Sequence, residues 1–363
     1  MIPDKTAIAA ALARAKRTGA DFSELYFEDT VSQSLGLVSS SIEDAVSARN
    51  IGVGIRLLKD KRCVYAYGND VSPSGLLALA DSAAAALSGS ASPGAHAGSE
   101  FLDTLDIDAL ARSAADCAVT MLHAPLCPAG IMPVVMDNGF GGVIFHEACG
   151  HSLEATSVAR GNSVFCGKLG TRIGSEKVTA YDDGTIPGAW GSLNINDEGE
   201  PTRRIKLLDK GVLTSYMIDK LGSRRMNMPS TGSGRRESYR FAPTSRMTNT
   251  FIAPGQDENS DIIASVENGL YAAKMGGGSV NPVTCEFNFA VLEGYLIKNG
   301  RISTPVRGAT LIGRGDEILF NIDMVGRDMT MGQGMCGSES GSIPANVGQP
   351  MIRISSISVG GKS

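Results

Sequence analysis

The amino-acid sequence predicts an α+β fold, with an N-terminal α/β domain (residues 1–130), a β-rich C-terminal domain (residues 131–363) and a helix at their junction. The chain has 363 residues, more than one hydrophobic core usually supports, and this favours two domains. Its 44 glycines favour tight turns and short strands over a helical bundle. Helical periodicity is concentrated in the first half, whereas beyond about residue 175 the pattern is mainly that of strands.

The N-terminal domain is predicted to begin with a helix. Pro3 opens it, Gly19 closes it, and Ile8 and Leu12 lie on one face. Short extended segments follow at residues 24–27, 33–38, 51–57 and 63–67, and a second helix at about residues 74–87. Residues 88–99 are small and lack periodicity, which makes them the best linker candidate.

Further along the chain, local patterns predict a strand, turns and helices. Residues 131–136 are predicted to form a strand, and a glycine-rich turn at residues 138–142 leads into the junction helix. Two hairpin turns are predicted at residues 209–211 and 298–300, because each has glycine at its end and alternating apolar residues on both sides. A helix near residues 260–270 is expected to interrupt the strands.

Composition argues against several classes of partner and compartment. The formal net charge is −5, and the 33 basic and 38 acidic residues are scattered, so a nucleic-acid backbone is not the expected partner. No apolar leader is present at the start, and no apolar run reaches the roughly 18 residues of a membrane span. Seven cysteines without a leader indicate reduced thiols. We therefore expect a cytoplasmic protein with no membrane partner.

The stretch from His146 to His151 is the most informative part of the sequence. It reads His-Glu-x-x-x-His and holds two of the four histidines. Histidines and a glutamate on a helix are typical of zinc peptidases, in which the glutamate is the general base. At a spacing of five residues the two rings would diverge by about 140° on a regular helix. We therefore expect a π-bulge, permitted by Gly150, that turns both rings to one metal ion. The junction helix is thus predicted to bind metal, with Glu147 as the base.

Catalytic zinc usually has three protein ligands, so a third is needed. Glu154 is one candidate, because it lies three residues after His151 and on its face. A distant cysteine is the other candidate. Cys336 is the best choice among the cysteines, since nearby glycines suit a tight loop that approaches a metal. An ordinary capped helix is the simpler alternative for the whole motif, and we favour the metal site over it.

The chain resembles the TldD/PmbA family of metallopeptidases. Residues 138–154 are similar to the family's HExxxH helix, and the first ninety residues are similar to its N-terminal domain. Further matching motifs follow in the same order: Asp182-Asp183-Gly184, Asp197-Glu198-Gly199, Gly232-Ser233-Gly234-Arg235-Arg236-Glu237-Ser238, Arg246-Met247-Thr248-Asn249-Thr250 and Val347-Gly348-Gln349-Pro350. Family members are usually longer, and the portion missing here falls between about residues 90 and 133.

The resemblance implies a zinc ion held by His146, His151 and Cys336, with catalysis by Glu147. It also implies a dimer, either of two copies or of this TldD-type catalytic subunit with a TldE-type subunit. The implied substrates are unstructured or modified peptides, drawn extended into an enclosed channel.

Three functions remain open on the residues alone. The first is a zinc peptidase that matures or degrades peptides. The second is a peptide-binding module with a structural metal, which an intact Glu147 disfavours. The third is a non-proteolytic, metal-dependent amidohydrolase acting on small amides. Arg235, Arg236 and Tyr239 are candidates for binding the peptide or its oxyanion, although surface salt bridges would also explain these residues.

Overall fold

The computed structural model describes residues 5–16, 21–38, 41–59, 62–77, 116–281 and 283–361. Helix Lys5–Ala15 forms where the sequence predicts it and buries Ala11 and Ala15 in an apolar cluster with the following sheet. Of the second predicted helix, residues 73–77 are helical, and the remainder lies outside the described residues. The linker predicted at residues 88–99 also lies outside them.

Three antiparallel strands follow the first helix: β1 (Phe22–Val38), β2 (Ser41–Lys59) and β3 (Arg62–Gly68). The sequence predicts separate strands at residues 24–27 and 33–38, and this is wrong, because both segments belong to β1. The polar middle of β1 stays paired with β2, where the carboxylate of Asp29 accepts two hydrogen bonds of 2.7 Å from the Arg49 guanidinium. This cross-strand ion pair lets the hairpin continue where apolar alternation lapses.

Fifteen further strands, short and long, lie in the remaining described residues. They are β4 (Gly130–Met136), β5 (Ala180–Asp183), β6 (Arg204–Asp209), β7 (Val212–Leu213), β8 (Gly234–Arg235), β9 (Thr244–Ser245), β10 (Asn249–Ile252), β11 (Asn268–Val280), β12 (Glu286–Lys298), β13 (Arg301–Val306), β14 (Thr310–Arg314), β15 (Ile322–Val325), β16 (Thr330–Ser338), β17 (Gly341–Gln349) and β18 (Ile352–Gly360). The helices among them are Val143–Ala148, Ala155–Val158, Lys220–Met226, Asn259–Ala264 and Gly315–Asn321, and residues 116–123 are also helical.

Two larger sheets carry the functional part of the molecule. One has the strand order β16-β17-β10-β5-β6-β7, with β16 at an edge. The other has the order β11-β4-β18-β14-β12-β13, and β11 also pairs with β12, so that its path closes on itself. With helices in both halves of the chain and extensive sheets, the fold is of the mixed α+β class. Within the described residues, none of the helices has the length and apolar character needed to span a membrane.

Both predicted hairpin turns are confirmed. β6 and β7 are joined by Lys210 (φ 46°) and Gly211 (φ 79°), and β12 and β13 by Asn299 (φ 51°) and Gly300 (φ 71°). Two consecutive positive φ angles define the turn that matches strand twist in two-residue hairpins. The helix predicted near residues 260–270 is shorter than expected, because the chain enters β11 at residue 268 and pairs with β4 and β12.

A single large apolar cluster joins these two sheets and surrounds helix Val143–Ala148. Within this helix Val143, Ile144, Phe145 and Ala148 are all buried. A helix that is apolar on several faces lies inside the molecule, so its two polar residues must also be accommodated there. The core therefore places the His-Glu-x-x-x-His motif between the sheets rather than on the surface.

A buried ionic network attaches the N-terminal sheet to the rest of the chain. The Arg56 side chain of β2 is fully buried and pairs with Glu24 at 3.0 Å and with Glu198 at 2.6 Å. Arg236 pairs with the same Glu24 at 2.7 Å. The Tyr65 hydroxyl adds a hydrogen bond of 2.6 Å to a backbone carbonyl on the other side of the junction. Buried charges persist when paired in this way, so these contacts specify how the N-terminal sheet docks.

Candidate metal centre

Two short helical segments carry the His-Glu-x-x-x-His motif. Helix Val143–Ala148 holds His146 and Glu147 and is followed by a 3-10 turn, Gly150–Leu153, that holds His151. The backbone between them leaves the helical region, with φ −128° and ψ −48° at the intervening residue. A change of direction at this point, and not a continuous helix, sets how the two histidine rings are oriented.

The predicted π-bulge is wrong, because the helix ends instead of widening. The amide of Cys149 still donates to the carbonyl of Phe145 (3.0 Å), but the amide of Ser152 donates to the carbonyl of Cys149 (3.0 Å), which is a 3-10 contact. Gly150 has a packing role: a Cβ there would lie 2.2 Å from the sulfur of Met247. The glycine therefore admits a close neighbour rather than a bulge.

The side chains of His146, His151 and Cys336 converge on one point. Nε2 of His146 lies 3.2 Å from the Cys336 sulfur, and Nε2 of His151 lies 3.3 Å from it. The two rings meet edge to face with centroids 5.1 Å apart. All three residues are buried, and their candidate ligand atoms lie within 4.8 Å of one another. The fold thus brings together the three residues that the sequence analysis selected.

The chemistry of these donors fits a metal ion. Three buried polar atoms facing one another are costly unless a proton or a cation lies among them. Two imidazoles and a thiolate suit zinc, and three protein ligands leave one position open. Burial raises the pKa of the Cys336 thiol, but His151 and His146 outweigh this, and its pKa lies well below its ordinary value. The thiolate is the form that binds metals.

Glu154 contacts the histidine instead of the converging donors. Its Oε2 lies 3.2 Å from Nδ1 of His151, whereas Nε2 of the same ring faces Cys336. Burial lowers the pKa of His151, but Glu154 and Cys336 raise it, and the net pKa is well above its ordinary value. A carboxylate on Nδ1 holds the ring so that Nε2 is the ligand atom. This geometry favours Glu154 as the partner of a ligand.

Glu147 lies in the wall of a cavity of about 540 Å³ that adjoins the converging donors. Its side chain is 22% exposed, and its Oε2 lies 3.8 Å from Nε2 of His151. The carboxylate is therefore close to the donors, outside hydrogen-bond range of that ring nitrogen, and reachable by water. Arg160 and Glu339 also line this cavity and pair with each other.

The structure contradicts the peptide-binding roles suggested for Arg235, Arg236 and Tyr239. All three are buried and lie outside the cavity wall. Arg235 donates to the backbone carbonyl of Met247 at 2.6 Å, and Arg236 pairs with Glu24 at the junction with the N-terminal sheet. Their burial also rules out surface salt bridges. The guanidinium groups serve internal contacts, which apolar periodicity cannot reveal.

Arg246 has no role predicted from the sequence, although this residue adjoins the candidate centre. Its side chain is fully buried and donates to the backbone carbonyl of Cys336. Buried and exposed arginines look alike in sequence, because both are polar positions in an irregular segment. The only signal was its place in one of the motifs that resemble the family.

Family models match most of the chain. The model described as the PmbA/TldA metallopeptidase C-terminal domain matches residues 129–361, and the model described as PmbA/TldA metallopeptidase domain 1 matches residues 23–87. These ranges cover the converging donors and the N-terminal sheet, respectively.

Curated relatives support the same family. The metalloprotease TldD homologue of Buchnera aphidicola subsp. Schizaphis graminum is 45% identical over 257 residues, which are 70% of this chain and 53% of that protein. The metalloprotease TldD homologue of Haemophilus influenzae is 45% identical over 267 residues, 72% of this chain and 55% of that protein. The chain spans about half the length of the curated relatives it matches.

A solved structure supports the fold. TldE from Thermococcus kodakarensis superposes with a TM-score of 0.73 and 16% identity, covering 97% of this chain and 99% of that one. At this level of identity the likeness concerns the fold alone.

Proposed function

The chain belongs to the TldD/PmbA family of metallopeptidases, and from this premise we propose that it is a zinc-dependent peptidase. In this proposal His146, His151 and Cys336 hold the zinc, and Glu147 is the general base. The observation that carries the proposal is the convergence of two imidazole nitrogens and one sulfur beside a cavity that Glu147 also lines. Imidazole and thiolate ligands favour zinc over hard cations.

Each residue of the site has a separate task in hydrolysis. Zinc, when bound, supplies Lewis acidity towards the scissile carbonyl and towards water. Glu147 accepts the proton of the attacking water and returns it to the leaving amine. Its partial exposure suits this task, because a base must meet both solvent and substrate. Glu154 holds the His151 ring through Nδ1 and keeps the other nitrogen directed at the metal.

We propose unstructured peptides as substrates, because the donors are deeply buried. His146, His151 and Cys336 are 3%, 8% and 5% exposed, so the surface of a folded protein cannot reach them. A cavity of about 540 Å³ is within the size range of small-ligand pockets and takes only a short stretch of chain. A folded substrate would first have to unfold locally, at a cost in free energy.

The base is tested with Glu147→Gln. The amide keeps the shape of the side chain but cannot accept a proton, so we expect full zinc content and a loss of turnover of about 100-fold or more. Zinc per chain and cleavage of an unfolded peptide mixture are measured together. Glu317→Gln is the control, since this glutamate is 70% exposed and outside the cavity wall. Unchanged turnover in Glu147→Gln would contradict the mechanism.

Peptide binding and cleavage of small amides, measured beside this assay, separate the two other functions. A peptide-binding module with a structural metal would bind the peptides and leave them intact in the wild type. A metal-dependent amidohydrolase would cleave small amides and spare peptides. Cleavage of peptides by the wild type, with little cleavage by Glu147→Gln, supports the peptidase.

Substrate selectivity is tested with one protein in two states. We expect cleavage of a globular protein after reduction and unfolding, and little cleavage of the same protein when folded, because a buried centre admits only extended chain. The rates are compared at equal protein concentration. Equal rates for both states would show an open site and would contradict the enclosed channel.

We also propose a dimeric assembly and two domains. The proposed partner is a second copy or a TldE-type subunit, the two options that the family resemblance implies. The proposed domains are residues 1–130, with a linker near residues 88–99, and residues 131–363, a β-rich domain that includes the metal-binding helix. Sedimentation velocity at assay concentration is expected to show dimers. Fully active monomers as the sole species would contradict the assembly.

A further inference from the structure

We propose that Arg246 is a positioning residue of the metal centre, which holds the His151 side and the Cys336 side at the separation that lets both reach one ion. This inference rests on the proposed zinc site. The two sides come from distant parts of the chain, a 3-10 turn in the motif and the edge strand β16, 185 residues apart. One buried guanidinium lies between them.

On the cysteine side, Arg246 binds the hairpin formed by β16 and β17. One terminal nitrogen donates to the backbone carbonyl of Cys336. The other donates to the hydroxyl of Ser340 (3.0 Å) and to the carbonyl of Gly341 (2.8 Å). These acceptors lie on both sides of the hairpin turn. The guanidinium therefore positions the backbone that presents the Cys336 sulfur.

On the histidine side, Arg246 faces Glu154. Nε of the guanidinium lies 3.8 Å from Oε1 of this carboxylate, while Oε2 lies 3.2 Å from Nδ1 of His151. The charges thus form a line from arginine to carboxylate to imidazole. An arginine behind a carboxylate helps to hold that carboxylate in one orientation on the ring.

Charge and burial make this arrangement specific to arginine. Both Arg246 and Glu154 are almost completely buried, at 0% and 2% exposure, so each needs a partner of opposite charge. A guanidinium has five donors in a rigid fork and can contact both sides at once. A lysine ammonium carries the charge but acts as a single point, so it cannot span the same contacts.

The test uses Arg246→Lys and zinc affinity. We expect a folded protein whose zinc dissociation constant is raised by about 10- to 100-fold, the usual effect of removing a residue that orients a ligand. Affinity is measured by competition with a chromophoric chelator. The cobalt(II)-loaded protein gives a second readout, because the thiolate charge-transfer band and the d–d bands report ligand geometry. Both are expected to change in Arg246→Lys.

Arg236→Lys is the matched control. Arg236 is also a buried arginine that pairs with a carboxylate, Glu24 at 2.7 Å, and donates to backbone carbonyls at 2.7 and 3.2 Å, and none of these contacts involves Glu154 or Cys336. We expect near wild-type zinc affinity and cobalt spectrum. Thermal unfolding of the metal-free proteins shows how much each substitution disturbs folding. Equal losses of affinity in the two lysine variants would overturn the proposal, since burial alone would then explain them.

Glu154→Gln tests whether the arginine acts through the carboxylate. The amide can still contact Nδ1 of His151 but has no charge to offer Arg246. If Arg246 acts through Glu154, the double variant with Arg246→Lys and Glu154→Gln loses little more zinc affinity than the more affected of the two single variants. Fully additive losses would overturn the proposed path. Failure of the zinc site itself would look different: His146→Ala would then bind zinc as tightly as the wild type, and both proposals would be withdrawn.

Discussion

At the scale of single residues, the candidate centre combines a local motif with one distant side chain. His146 and His151 are five residues apart, whereas Cys336 lies 190 residues after the first histidine. A site of three ligands has none to spare when one position must stay open for substrate. We therefore expect each proposed ligand to be essential, and Glu154, which we propose only orients a ligand, to change affinity by a smaller factor.

Alanine substitutions test this division. We expect His146→Ala, His151→Ala and Cys336→Ala each to abolish stoichiometric zinc, and Glu154→Ala to weaken binding by about 10- to 100-fold. Zinc per chain is measured after gel filtration in buffer with a weak chelator. His123→Ala is the control, because this histidine is exposed and distant from the motif in the chain. Full zinc in Cys336→Ala together with loss in Glu154→Ala would reverse the assignment of the third ligand.

At the scale of elements, the end of one helix decides the geometry of the centre. Helix Val143–Ala148 stops, and a 3-10 turn with tighter contacts follows. The turn packs so closely that a Cβ at Gly150 would overlap the sulfur of Met247, at 2.2 Å. Met247 directly follows Arg246, so the turn with His151 packs against the segment that contains Arg246. Tight packing here couples the stability of the turn to the position of a ligand.

Gly150→Ala tests this coupling. Overpacking of a buried site typically costs about 1–3 kcal/mol, so we expect a loss of unfolding free energy of that order and weaker zinc binding. Urea unfolding of the metal-free protein and chelator competition give the two quantities. Gly277→Ala is the control, since a Cβ there has no described atom within 4 Å. Equal stability and affinity in both alanine variants would show that the turn tolerates the added methyl group.

At the scale of the whole molecule, the N-terminal sheet is held by buried ions. Arg56 of β2 reaches across to Glu198 at 2.6 Å, and both side chains are fully buried. The pKa of Glu198 is raised to about 7: burial raises it most, Arg56 partly offsets this, and Asp219 adds a smaller upward effect. The pKa of the folded state thus lies above its ordinary value of 4.5, and folding takes up a proton between these values.

Proton uptake by Glu198 on folding makes the protein more stable at acidic pH than at neutral pH. The stability that proton uptake contributes is fully present below about pH 4.5 and is lost as the pH rises to about 7. We therefore expect the unfolding free energy of the wild type, relative to Glu198→Gln, to fall by up to about 3 kcal/mol between pH 5 and pH 8. Urea unfolding followed by the fluorescence of Trp190 measures both proteins. Zinc ligands titrate equally in both and cancel in the difference.

The control for this experiment is Glu317→Gln, which removes a carboxylate at an exposed position. Its difference from the wild type is expected to stay constant over the same pH range. A constant difference for Glu198→Gln as well would mean that Arg56 keeps Glu198 ionised throughout, and the proton-uptake account would be wrong.

Features that depend on local contacts can be predicted from the amino-acid sequence. Both hairpin turns need positive φ angles at neighbouring residues, and the pairs Lys210-Gly211 and Asn299-Gly300 indicate such turns. The strand at residues 131–136 and the first helix follow from apolar periodicity. The two motif histidines and Glu147, the proposed base, also lie in one short segment, so a metal site could be predicted there from the sequence.

Other features of the centre cannot be predicted in this way, because they depend on atoms that are far apart in the chain. The helix ends after Ala148 and is followed by a turn packed against Met247, and no local pattern encodes that neighbour. Arg235 and Arg236 are polar in sequence yet buried, because their terminal nitrogens pair with carbonyls and carboxylates from other segments of the chain. Arg246 lies beside the centre for the same reason. Periodicity reports how a residue faces its own element, and only the assembled core determines which distant partner it meets.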